Sequence, residues 1–256
     1  LPESFVFVDD NPAERAIIEA QVPGAAVPVM DSVEKYIQAI DKSGFFEVTS
    51  LSQDDLKRTE MYRENAQRNQ LQASFTDYGE YLRSLEMKAE IQGFIPMYMS
   101  RIAQLSNKSN QFNLTTRRYS QADIEALAQD PEHVTLYGKL CDKFGDNGVV
   151  SVVVGRIDGE ARDELHMELW LMSCRVLKRG MELAMLDSLV EQAKKQGIKT
   201  LKGYYFKTPK NNMVREFYGA LGFTKISEQE NGDSEWELEI NNYENKNKVI
   251  KVVTSN

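Results

Sequence analysis

Cysteine and histidine are scarce in this sequence. Of 256 residues, two are cysteine, Cys141 and Cys174, and two are histidine, His133 and His166. Two cysteines without paired spacing exclude a disulfide scaffold and make a reducing, cytoplasmic setting the default. Two isolated histidines argue against a histidine-built metal centre. No apolar run approaches the roughly 20 residues of a membrane span, and no secretory leader pattern is present. Basic residues are outnumbered: 31 Lys and Arg stand against 39 Asp and Glu, a net charge of −8. That balance speaks against non-specific binding to nucleic acid or to an anionic membrane, and leaves room for a local basic patch. Internal repeats and low-complexity runs are missing too. Hydrophobic residues make up 41% of the chain, enough for a packed core, and the length suits one large or two ordinary domains.

The first notable string is FVFVDDNPAER, residues 5–15. Four apolar residues in a row read as a strand buried on both faces, and this one ends in two adjacent acids, Asp9 and Asp10. Asn11-Pro12 then opens a helix, Asn as N-cap and Pro in the first turn. Residues 25–29 read as a second strand, and 31–40 as a second helix capped by Asp31 or Ser32. Two strands cannot form a covered parallel sheet. Further strands are therefore expected before Leu1, and the chain is expected to be a piece of a longer polypeptide. Residues 46–109 are charged and helical in period, with N-cap signals at Ser52 and Thr76, and are expected to be a helical connector. Residues 110–242 read β-α-β-β-β-α-β-α-β and are expected to be a mixed α/β domain. Its second and third strands meet at Gly145-Asp146-Asn147-Gly148, which has strong turn chemistry. Residues 243–256 are expected to be a flexible tail.

Within 110–242 two motifs stand out. One is a strand followed by SCRVLKRG (173–180) and a long amphipathic helix. Such a junction offers backbone N–H groups and a helix N-terminus to an anion. The other is NNMVREFYGALGF (211–223). These motifs and the element order resemble the GNAT (acyl-CoA N-acyltransferase) family. Its acyl-CoA loop has the form Arg/Gln-x-x-Gly-x-Gly/Ala, and Arg175, Lys178 and Gly180 fall on those places, with Lys178 where a glycine is usual. The second motif resembles the family's Asn-x-x-Ala-x-x-x-Tyr-x-x-x-Gly-Phe helix through Asn211, Val214, Tyr218, Gly222 and Phe223. The resemblance implies that Arg175, Lys178, Arg179 and Gly180 meet the phosphate of coenzyme A or of a phosphopantetheine. It further implies that Asn211 lines the thiol end and that Tyr218 is a general acid to the leaving thiolate. Glu164 and Glu168 lie on the strand where such enzymes place a base.

An aspartate pair closing a buried strand resembles two families. A response-regulator receiver domain needs a second aspartate at a strand end some 40 to 50 residues on, and the candidates there, Asp54 and Asp55, open a helix instead. The other is the last acidic motif of the HAD phosphatases, whose core is a doubly wound parallel sheet. That resemblance implies that Asp9 and Asp10 bind magnesium beside a phosphoryl group, the nucleophile lying on an earlier strand. One family joins all the pieces in this order: FkbH-like proteins, a HAD domain of subfamily IIIC type followed by a helical connector and a GNAT-like domain. The matching strings are FVFVDDNPAER, NKSNQFNLTTRRY, FGDNGVVSVVV, LMSCRVLKRGMELAML and TPKNNMVREFYGALGF. The expected fold is thus α/β: residues 1–45 as the C-terminal remnant of a HAD (Rossmann-like) sheet, then linker, then GNAT-like domain. The resemblance implies removal of phosphate from a small phosphoglycerate-type substrate and transfer of the glyceryl (acyl) group to the thiol of an acyl carrier protein. Two alternatives stand beside it: a GNAT N-acetyltransferase using acetyl-CoA, and a non-catalytic GNAT-like domain that docks a carrier protein.

Overall fold

The computed structural model describes residues 5–47 and 58–253. The chain divides into two compact units, residues 1–57 and 58–256. In the first, helix α1 (Pro12–Gln21) begins as the sequence predicts, with the Asn11 side chain accepting from the Ala13 N–H at 2.9 Å and Pro12 in the first turn. A 3₁₀ turn, Val33–Lys35, leads into α2 (Tyr36–Lys42), with Ser32 at the N-cap position and no capping bond from its side chain. The two expected strands contract to one parallel bridge, Val6↔Ala26, held by Phe7 N–H to Ala26 O (2.9 Å) and Ala26 N–H to Phe5 O (3.0 Å). Pro28 cannot donate to a ladder, so the second segment cannot extend the pairing. Phe5, Val33 and Ile37 remain 64%, 74% and 85% exposed.

The second unit is built on an eight-stranded mixed sheet. Helices α3 (Arg58–Gln72) and α4 (Tyr78–Ser84) precede strand β1 (Lys88–Gln92), and α5 (Pro96–Lys108) and α6 (Gln121–Gln129) follow it. Then come β2 (His133–Asp142), β3 (Gly145–Asp158), β4 (Glu164–Met172), α7 (Met181–Lys195) and β5 (Thr200–Tyr205). The short helix α8 (Phe217–Ala220), β6 (Thr224–Glu228), β7 (Ser234–Glu239) and β8 (Lys251–Val253) complete it. The strand order is β6-β7-β5-β4-β3-β2-β1-β8. Only β4–β5 and β1–β8 pair in parallel. The central strands are buried on both faces, which their unbroken apolar runs require. Val153 and Met167 face the cluster that includes Ala184, Met185 and Leu189 of α7. Val152, Val154, Leu169 and Leu171 face Met99, Ile102 and Leu105 of α5 and Ile124 of α6. The α/β class expected from the sequence is what the chain has.

Several local expectations are corrected. Residues 46–109 are not a connector throughout: Lys88–Gln92 pairs antiparallel with β2, and α5 packs into the core. Glu86, at φ 53°, turns the chain out of α4, and the buried alternation of Ala89 and Ile91 hides in the charged string KAEIQ. Asp77, not Thr76, caps α4, accepting from the Glu80 N–H at 2.7 Å. The expected cap at Ser52, and Asp54 and Asp55, lie outside the described residues. The β2–β3 turn falls at Asp142–Gly145, because the Asp142 carboxylate accepts from the N–H groups of Phe144 (2.9 Å) and Gly145 (3.2 Å). The DNG residues instead form irregular pairing within β3. The tail is pinned through Val253. Asp187 accepts from the Tyr243 hydroxyl (2.6 Å) and from the N–H groups of Lys246 and Asn247 (2.9 Å each), and Ile250 is buried.

Candidate functional site

The candidate site is set by the one parallel pair at the centre of the sheet. β4 and β5 pair only over Glu164–His166 and Thr200–Lys202, and then diverge. The diverging edges would leave buried backbone groups without partners, which a folded chain does not tolerate. The segment 112–115, from NQFNLTTRRY, enters the gap. Met172 N–H donates to Phe112 O and Leu114 N–H to Trp170 O (3.1 Å each). The Thr115 hydroxyl donates to Glu168 O at 2.6 Å. On the other side, Phe206 N–H donates to Leu114 O at 2.9 Å. All four residues of this strap are buried. The strand expected at the start of the 110–242 unit, over NQFNLTTRRYS (110–120), is therefore this short insert between β4 and β5.

Asn211 holds the strap and is fully buried. Its Nδ2 donates to Asn113 O (3.0 Å) and Phe206 O (2.9 Å), and its Oδ1 accepts from the Thr208 N–H (2.8 Å) and the Tyr205 hydroxyl (3.3 Å). With every polar group of its side chain engaged, Asn211 is a pin within the protein. Tyr218 lies in an aromatic cluster with Trp170, Phe217, Phe223 and Trp236, its ring against the backbone of Gly203 in β5. Its hydroxyl is fully buried, and the Tyr204 backbone approaches it without a hydrogen bond of normal geometry. Burial pushes its acidity well below that of an ordinary tyrosine. The indole Nε1 of Trp170, in the same cluster, is also buried without a partner.

The loop before α7 lies between β4 and α7 as the sequence order predicts, and its basic side chains are largely engaged within the protein. Lys178 and Gly180 both take positive φ, 63° and 84°. Lys178 thus adopts the left-handed conformation for which a glycine would be suited. Its side chain is exposed, and its carbonyl accepts from the Tyr78 hydroxyl at 2.9 Å. Arg175 is half-buried against Met61. Arg179 turns inward. Its guanidinium donates to Asp142 and to Asn65, at 3.3 Å each. Asp142, whose side chain is 0% exposed, is also gripped by Arg68 at 2.7 and 2.8 Å. Burial and then the neighbouring Arg68 lower the Arg179 pKa, and Asp142 pulls it back up. Glu182, in the first turn of α7, has one carboxylate oxygen buried without a partner. A Cβ on Gly180 would come within 3.1 Å of Val249. Asp142 thus supplies the carboxylate where the sequence resemblance expects a ligand phosphate.

Glu168 is held by Arg117 (2.9 Å), His133 (3.5 Å) and Arg156 (3.7 Å), partners that occupy its carboxylate. Sequence reasoning missed a neighbouring chain of groups. His166 Nε2 meets Glu164 at 3.0 Å, and His166 Nδ1 meets the Tyr204 hydroxyl at 2.7 Å. The signal was available, since Glu164 and His166 share one face of β4; Tyr204 comes from β5, and that proximity is tertiary.

In the first unit Asp9 and Asp10 are adjacent at the end of the bridged segment. Asp9 Oδ1 accepts from the Asn11 N–H at 2.8 Å, and Arg15 donates to the carbonyls of both aspartates, at 2.8 and 3.1 Å. Among the described residues no group of three or more His, Cys, Asp or Glu could hold a metal ion. Two carboxylates, one already engaged, do not fill the near-octahedral oxygen shell that magnesium demands. Among the described residues no helix is long and apolar enough to cross a membrane.

No protein-family model matches the chain, and no curated protein matches it. Solved structures do. The GNAT domain of S. lividans PAT is 17% identical, with a TM-score of 0.47 over 59% of this chain and 90% of that one. An acetyltransferase of the GNAT family from Streptococcus pneumoniae is 14% identical, with a TM-score of 0.47 over 59% of this chain and 99% of its own. The Salmonella typhimurium protein yncA, solved with its cofactor acetyl-CoA, is 12% identical, with a TM-score of 0.44 over 60% of this chain and 95% of that one. Likeness at such identities carries no activity or substrate over to this chain.

Proposed function

We propose that the chain is part of an FkbH-like phosphatase and glyceryl (acyl) transferase that acts with an acyl carrier protein. What supports the reading is the placement of four of the five FkbH-like strings. FVFVDDNPAER ends its bridged segment at Asp9–Asp10 and runs into a capped helix. LMSCRVLKRGMELAML forms the β4–loop–α7 junction, and NKSNQFNLTTRRY and TPKNNMVREFYGALGF meet through Asn113 and Asn211. Within the second unit, strings nearly a hundred residues apart meet beside the β4–loop–α7 junction.

The residues present do not by themselves fit either implied group. Asp9 and Asp10 lack further ligands for magnesium among the described residues, and Arg179 and the β4–β5 gap are already engaged. What this chain's residues can do is hold the shape of the domain and present Lys178 and the half-buried Arg175 to an acidic partner. The salt sensitivity of such a contact follows from its exposure.

The test is carrier loading. The native protein is incubated with a phosphorylated glycerate and a carrier protein bearing its phosphopantetheine, and the carrier's intact mass is read. Gain of one glyceryl unit supports the reading. Carrier binding without turnover, lost on charge reversal at Arg175 and Lys178, would leave only a docking domain. Micromolar binding of acetyl-CoA by calorimetry, worth roughly −8 kcal/mol, together with acetyl transfer to an amine, would replace the proposal with an acetyltransferase.

A further inference from the structure

The loop before α7 has the donors of an anion site, and one carboxylate of the chain already takes them. Asp142 accepts from Arg68 Nε at 2.7 Å and Arg68 Nη2 at 2.8 Å, and from Arg179 Nη1 at 3.3 Å. The N–H groups of Phe144 and Gly145 complete the set, at 2.9 and 3.2 Å. Two guanidinium groups and two backbone amides converging on one point are the means by which proteins hold a phosphate or a carboxylate. Asn65 accepts from both arginines as well, from Arg68 at 3.0 Å and from Arg179 at 3.3 Å. Arg68 is 1% exposed, and the Asp142 side chain is sealed completely. A dilute ligand does not displace such a pair, because parting it leaves buried charge uncompensated. The same loop is covered by the rest of the unit. α3 sets Met61 against Arg175, and α4 sets the Tyr78 hydroxyl on Lys178 O at 2.9 Å. The tail sets Val249 beside Gly180, so close that a Cβ there would meet it at 3.1 Å. Glu182 places a second acid in the first turn of α7, with one oxygen buried and unpartnered. A phosphate arriving at that helix N-terminus would have to share it with this acid.

We infer that Asp142 is the resident anion of this loop and that it closes the second unit to nucleotide diphosphates, coenzyme A included. The side chain does permanently what a bound phosphate would do, and it ties α3 to the entrance of α7 in doing so. An acyl donor for this unit is then one without a nucleotide diphosphate. That consequence alone rests on the acyl-transfer reading. The resident anion rests on the loop's own bonds and is tested without any transfer reaction, so the two can fail separately.

Chemical rescue tests the anion, and calorimetry tests the closure. Asp142→Ala removes the carboxylate and leaves space for a small one. In roughly 100 mM formate its Tm is expected to rise ~3–6 °C above the value in chloride of equal ionic strength, the shift produced by an anion at about ten times its Kd. The parent, whose site is filled, is expected to melt at one temperature in both salts, and so is Asp142→Asn, whose side chain still occupies the space. Where Asp142→Ala is unfolded in chloride, its refolding yield in the two salts is read instead. Equal behaviour of Asp142→Ala in formate and chloride would overturn the inference, because its partners would then need no anion. So would a rise in formate that the parent shares. In the absence of magnesium, coenzyme A and inorganic pyrophosphate are each expected to give no saturating heat with the parent up to about 1 mM. Saturation by either below that concentration would overturn the closure, since a diphosphate would then have a place on the chain.

Discussion

Replacing Tyr218 with phenylalanine separates two accounts of the same residue. By resemblance it is a proton donor. In the structure its hydroxyl is fully buried without a hydrogen bond of normal geometry, and burial makes it a weaker acid than free tyrosine. Phenylalanine keeps the ring contacts, at 4.9 Å to Phe223 and 6.2 Å to Trp170, and removes only the hydroxyl. Desolvating a hydroxyl without a partner costs ~1–3 kcal/mol by mutational measures. Part of that relief is offset by small shifts in packing, so a gain of about 1 kcal/mol is expected for Tyr218→Phe. For a unit of 150–250 residues that is a rise of roughly 2–4 °C in Tm. Urea unfolding of the large unit gives the free energy and scanning calorimetry the temperature. Tyr218→Ala serves as the packing control and should lose ~3–5 kcal/mol. A loss of about 1 kcal/mol on Tyr218→Phe would refute the reasoning, since it is the signature of a hydrogen-bonded hydroxyl. Unchanged stability with a fall of roughly 100-fold or more in carrier loading would refute it from the other side, by restoring the proton donor.

Three more perturbations follow from the same structure. Asp142→Ala leaves Arg68 and Arg179 buried around a missing carboxylate and should cost ~3–5 kcal/mol in urea unfolding, with a smaller loss for Asp142→Asn. Burial raises the Glu182 carboxyl above its ordinary value, so between its unfolded and folded values the folded chain holds more protons and stability falls as pH rises. Glu182→Gln should therefore melt higher than the parent at pH 8 and converge with it once pH drops below the ordinary carboxylate range; an offset that persists in acid would contradict this. Asp187→Ala removes the acceptor shared by Tyr243, Lys246 and Asn247, and should speed hydrogen exchange at the Lys246, Asn247 and Lys251 amides, whereas unchanged protection of Lys251 would show that strand pairing alone holds the tail.

What the sequence made legible was local. Asn11-Pro12 opens its helix as read. Unbroken apolar runs mark the central strands. Illegible were features that only tertiary partners create. The string KAEIQ carries its charges on one face of a strand that β2 and β8 fix, so its composition resembles the helices before it. The Asn- and Lys-rich residues after Asn241 look loose until Asp187, far away in α7, gathers their amides. For the candidate site, the strand–loop–helix order around 173–180 was legible. Its electrostatics was not, because Asp142 reaches Arg179 only across the sheet edge. Asn211, which the resemblance places at the thiol end of a ligand, is engaged entirely within the protein. Its partner is Asn113, nearly a hundred residues earlier, and no spacing rule reports such a pair.

The pairing of β8 with β1 has a consequence for how the protein is made. Lys88 lies beside Lys251, so a strand formed early in synthesis takes its outer neighbour from residues made much later. At about 5–20 residues per second, the growing chain carries β1 for on the order of ten seconds before that neighbour exists. During that time one side of β1 is an open row of backbone groups, the kind of edge that recruits strands from other chains. The charged side chains of Lys88 and Glu90 stand on that strand, and charge on an edge strand opposes its pairing with apolar strands of other chains.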